Sequence, residues 1–98
     1  MDEFKQDAEN YINLVRDFDT LQDNQYEKAY TLHKRALGLY ERWSTILFEV
    51  RKHEADTKTK QPALKDRIEN IMKTLNNIYT SCRMVWNKSK DDLNEGKY

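Results

Sequence analysis

Two glycines, one proline and one cysteine in 98 residues leave this chain short of everything that makes tight turns and covalent staples. The lone thiol, Cys82, has no intramolecular partner, so no disulfide holds the fold. Glycines at 38 and 96 alone exclude a glycine-rich phosphate loop, which needs several within a few residues. The frequent turns of a sandwich or barrel are excluded for the same reason. Long apolar runs are missing as well. The longest, such as Ile46-Leu47-Phe48, has three residues, against the roughly 20 that span a bilayer, so no membrane partner is expected. The opening "MDEFKQDAEN" has no apolar leader, which with the unpaired cysteine implies a cytoplasmic protein. The sequon Asn87-Lys88-Ser89 is then a chance match.

An excess of either charge is also lacking. Seventeen basic residues balance seventeen acidic ones, which removes the global basic footprint of a nucleic-acid binder. The balance is uneven along the chain. Residues 1–23 hold seven acids and two bases, whereas residues 57–98 hold five acids and nine bases, so the first segment is expected to lie against the last.

What is present is helix-forming. Charged residues make up 35% and apolar ones 38%, the composition of long helices with narrow apolar seams. Phe4, Ala8, Tyr11, Val15 and Phe18, then Ala29, Leu32, Ala36, Leu39, Trp43, Ile46 and Val50, recur at alternating spacings of three and four. Leu64, Ile68, Ile71, Leu75, Ile78, Cys82 and Val85 repeat the pattern. The middle segment carries a second stripe, Tyr26, Tyr30, His33, Leu37, Tyr40 and Leu47, wide enough to hold two neighbours.

Between the first two stripes, "DTLQDN" gathers residues whose side chains compete for backbone hydrogen bonds, and Asn24 with Glu27 resembles a capping box. A turn is favoured there. The heptad phase nevertheless survives through Gln22 and Gln25, so the alternative is one helix over residues 2–56 in a long hairpin that dimerises into a four-helix bundle. The second break is clearer: "HEADTKTKQPALK" loses the stripe and places Pro62 where a first helical turn tolerates it. These signals predict an all-α, antiparallel three-helix bundle in one domain of residues 1–98. Its helices run over about residues 3–19, 24–55 and 63–92, with 93–98 a frayed tail.

Length mismatch suggests the surface. A first helix of about 25 Å covers half of a middle helix of about 45 Å, leaving Trp43, Leu47 and Phe48 as the expected interface. Partners are accordingly another copy of the chain, another protein, or both.

Catalytic and metal chemistry is not supported by spacing. Cys82 lies on the main stripe of its helix, where cysteine fills a core. His33 lies between Tyr30 and Leu37 on the second stripe, and His53 runs into the end of the middle helix. No Glu-x-x-His pair occurs, and "HEADT" lacks the second histidine of a zinc protease helix. No enzyme activity, cofactor or metal is expected. Residues 26–42 interleave aromatic and basic side chains, so nucleic-acid or nucleotide binding through Tyr26, Tyr30, Lys34 and Arg35 is the alternative. The tyrosines fall at helix-packing spacing, however, which favours a non-enzymatic protein-protein interaction or assembly module that self-associates through heptad seams.

Overall fold

A computed structural model describes the backbone of residues 4–95 and the side chains through Lys88. Among these described residues there are three helices, α1 (Lys5–Asp19), α2 (Tyr26–Thr57) and α3 (Pro62–Glu95). The chain turns at residues 20–25, so the continuous-helix alternative is overturned. The reason is local. Thr20 Oγ1 donates to the Asp17 carbonyl at 3.0 Å and the Leu21 N–H to the Phe18 carbonyl at 3.0 Å, closing the end of α1. The two glutamines then close on each other: the Gln25 N–H donates to the Gln22 carbonyl at 3.0 Å, and the Gln22 N–H to Gln25 Oε1 at 2.9 Å. Asn24 therefore caps nothing. Gln25 occupies the cap position of α2 without a side-chain cap bond, which corrects the expected Asn24–Glu27 box.

The second connection is four residues long. Lys58 ends α2 in the left-handed region, φ 55° and ψ 26°, a conformation that glycine adopts at lower cost. Glu54 ties the two sides of this loop. Its carboxylate accepts the Gln61 N–H just before α3 and an ion pair from Lys65 at 3.1 Å. The Gln61 bond comes first among the causes that hold the Glu54 carboxyl below the usual range, where a negative charge also suits the exposed N–H groups of a helix start. Pro62, which has no N–H to lose, opens α3. That helix reaches Glu95, past the expected end at 92, so residues 93–95 are helical rather than frayed; residues 96–98 of the expected tail lie outside the described residues.

The seams pack as their spacing requires. Ala29, Leu32, Ala36, Trp43, Ile46 and Val50 of α2 are buried with Ile68, Leu75, Ile78 and Cys82 of α3. In α1 the fully buried residue is Leu14, which the stripe through Tyr11, Val15 and Phe18 passes over. α1 lies antiparallel on α2, and its charges explain where. Arg35 holds Asp17 at 2.8 Å, Arg42 holds Asp7 at 3.2 Å, and Lys28 Nζ donates to Thr20 Oγ1 at 2.9 Å. The acidic first segment thus lies mainly against a row of bases on α2 spaced by seven, and not against the basic last segment as its net charge suggested.

The assembly is long and thin, 63 × 20 × 16 Å, with a radius of gyration of 16.9 Å. A compact chain of this length has about 13 Å. Three helices cover the half near the first turn. Beyond Trp43 the structure is a two-helix hairpin.

Candidate interaction surface

On an α-helix each residue advances by about 100°, so the outward positions of α2 can be placed on its circumference. Tyr30, Leu37, Tyr40 and Phe48 fall within about 80° of arc, while Lys28, Arg35 and Arg42, which hold α1, lie about 120–160° away from Tyr30. α1 and the second apolar stripe therefore occupy opposite sides of the hairpin. One groove of the α2–α3 pair receives α1; the other stays open.

The open face is apolar and aromatic along most of α2. Tyr30, Leu37 and Tyr40 are 38%, 42% and 37% exposed, and Phe48 is 68% exposed. On the α3 side Met72 and Tyr79 pack partly against the core. Two shallow grooves indent this face. The first is lined by Tyr40, Leu47, Glu69, Met72, Lys73 and Asn76. The second is lined by Tyr26, Glu27, Tyr30, Thr31 and Trp86.

Of the expected interface residues, two are covered within the single chain. Trp43 is 3% exposed and Leu47 7% exposed, so neither is an open anchor in the single chain; Phe48 is exposed as expected. Trp43 is covered because it lies on the inner stripe of α2, between Phe4 and Ala8 at the start of the first helix and Leu64, Ile68 and Ile71 of α3. Leu47 is covered because it faces α3. The exposed surface shifts around the helix to Tyr30, Leu37 and Tyr40.

The alternative nucleic-acid residues are split between two sides. Tyr30 packs on Trp86 with ring centroids 5.3 Å apart, and Lys34 Nζ lies 4.9 Å above the Tyr30 ring. His33 stacks on Tyr79 at 4.3 Å with its Nδ1 3.5 Å from the Tyr79 carbonyl oxygen. Arg35 instead faces α1 and is held by Asp17. These rings stack mainly on one another across α2 and α3, which is what their helical spacing implied.

The remaining candidates are structural in setting. Cys82 is fully buried and loss of hydration pushes its thiol pKa up, the opposite of an activated nucleophile. His53 is exposed at the end of α2. Among the described residues no cluster of three His, Cys, Asp or Glu side chains is placed to hold a metal ion, and no helix is long and apolar enough to cross a membrane.

No protein-family model, curated protein or solved structure matches the chain.

Proposed function

We propose that this chain is a non-enzymatic assembly module of the cytoplasm, an adaptor or regulator, that pairs with a second copy of itself through the open α2–α3 face. The observation that carries this reading is the run of four large apolar side chains, Tyr30, Leu37, Tyr40 and Phe48, left exposed on one side of α2. Scattered apolar residues are ordinary on a surface; a contiguous strip rimmed by polar residues marks an interaction site.

Surface and charge favour a second copy as the partner. The accessible surface is 7210 Å², against about 5,900 Å² for a compact monomer of this mass. Pairing two thin molecules side by side removes surface of that order, and stable interfaces bury roughly 1,200–2,000 Å² in total. The charges around the strip, Lys34 and Glu41 on α2 with Glu69 and Lys73 on α3, carry both signs equally and suit neither a polyanion nor a polycation. The pair then resembles a four-helix core of two α2–α3 hairpins with each α1 outside.

Nucleic-acid binding is less well supported, because the stacking partners of Tyr30 and His33 are already Trp86 and Tyr79, and Arg35 is engaged by Asp17. Light scattering over a concentration series tests the proposal. Wild type is expected to be dimeric or larger and Tyr40→Glu with Phe48→Glu monomeric with an unchanged helical circular dichroism spectrum. A monomeric wild type at millimolar concentration overturns it, as does assembly indifferent to both changes.

A further inference from the structure

A groove walled by all three helices opens at the N-terminal end of α1, on the side of the hairpin away from the proposed pairing face. Phe4 precedes α1, Ala8 comes from α1, Trp43 from α2, and Leu64, Ile68 and Ile71 from α3. Lys5 and Arg67, both exposed, complete the lining and form its rim.

Two exposed cations stand at the rim of this otherwise apolar site, and one buried donor in its wall has no acceptor. Arg35, Arg42, Arg51 and Lys65 each hold a carboxylate. Lys5 and Arg67 pair with no acid among the described residues. The Trp43 Nε1–H is buried without an acceptor there, a condition native structures rarely leave unexplained. The two rim groups are charged donors, so the complementary ligand carries an anionic group beside its apolar part.

Size and shape narrow the ligand further. The groove holds ≈ 260 Å³. An apolar cavity of about 150 Å³ takes the six carbons of benzene, so this one takes about ten non-hydrogen atoms. A fourth helix is a poor fit, since Ile46 and Val50, which would have to receive its next turn, are already buried. A nucleotide is a poor fit because six of the eight lining residues are apolar.

We propose that this groove binds a small carboxylate amphiphile. A medium-length alkyl chain lies between Trp43, Leu64, Ile68 and Ile71, and the carboxylate is met by Lys5 and Arg67. Octanoate, with ten non-hydrogen atoms, is the probe that matches both the volume and the charge.

Calorimetric titration of the full chain tests the site, using octanoate, octan-1-ol and acetate below micellar concentrations. Octanoate is expected to saturate at one per chain, octan-1-ol to bind at least tenfold more weakly, and acetate to give no saturable heat. Lys5→Gln with Arg67→Gln is expected to weaken octanoate at least fivefold while leaving octan-1-ol unchanged. Ala8→Leu, which fills the groove and is checked for fold by circular dichroism, is expected to abolish both. Equal affinity for octanoate and octan-1-ol, octanoate binding that survives Ala8→Leu, or no saturable heat at millimolar octanoate each overturns the proposal. Tyr40→Glu with Phe48→Glu is expected to leave octanoate binding intact, which separates this site from the pairing face.

Discussion

Arg42 of α2 forks onto Asp7 of α1, its Nε 3.2 Å from Oδ1 and its terminal nitrogen 3.3 Å from Oδ2. The Asp7 side chain is 14% exposed and that of Arg42 47%, so the carboxylate is largely sheltered while the guanidinium keeps one side in water. The Asp7 hydrogen bond, and then its charge, hold the Arg42 guanidinium above its ordinary pKa. Together with Arg35 and Asp17, this fork sets α1 on one side of α2 and leaves Tyr30, Leu37 and Tyr40 partly exposed on the other. A double-mutant cycle of Asp7→Asn and Arg42→Gln, read by urea denaturation, is expected to be non-additive, with a coupling that shrinks as salt rises. Additive effects at low salt contradict the placement.

Leu14 is the anchor of α1. Truncating a fully buried leucine removes its transfer free energy and leaves a cavity, so Leu14→Ala is expected to cost about 2–5 kcal/mol. The loss concentrates in α1, because α2 and α3 share their own seam. Hydrogen exchange is expected to accelerate across Lys5–Asp19 far more than at Ile68–Cys82. Uniform acceleration contradicts this division.

Lys58 holds a left-handed backbone without glycine's freedom. Relieving the clash between Cβ and the carbonyl is worth about 1 kcal/mol. Lys58→Gly is therefore expected to raise the melting temperature by about 4–8 °C, the shift such a gain gives a small domain. Lys60→Gly, in the same loop, serves as the control and is expected to give no such gain.

Acid is expected to loosen both connections to α2. Asp17 is held below the usual range first by the hydrogen bond from Arg35, and Glu54 first by the Gln61 N–H. Each carboxylate takes up a proton less readily folded than unfolded. Their stabilisation is thus complete above the unfolded values of about 4 and disappears as pH falls through the lowered folded-state values. Urea midpoints are expected to stay flat from neutral pH to about 5 and then to fall. Asp17→Asn with Glu54→Gln is expected to lower the plateau and flatten the acid limb; an unchanged acid limb contradicts the role of these two groups.

Much of the fold is legible in the apolar spacing, because the long seams at Ala29 to Val50 and Leu64 to Val85 admit one pairing of faces. The turn at residues 20–25 is legible as chemistry but not in its detail: the glutamines that keep the heptad phase also close the turn, through a side-chain bond that spacing does not encode. The position of α1 was readable in Lys28, Arg35 and Arg42 at sevenfold spacing opposite Asp7 and Asp17. Net charge by segment hides that row. Trp43 and Leu47 looked exposed because helix lengths alone do not say how much of the α2 seam α3 covers by itself. The second stripe carried the signal for the surface, since a stripe not used by α1 is left to solvent.

The most direct measurement is an isotope-filtered nuclear Overhauser experiment on an equal mixture of labelled and unlabelled chains. Contacts between chains are expected at Tyr30, Leu37, Tyr40 and Phe48, with none from Ile12 or elsewhere on α1. The absence of contacts between chains at millimolar concentration, or contacts that map to α1, contradicts pairing through the open α2–α3 face.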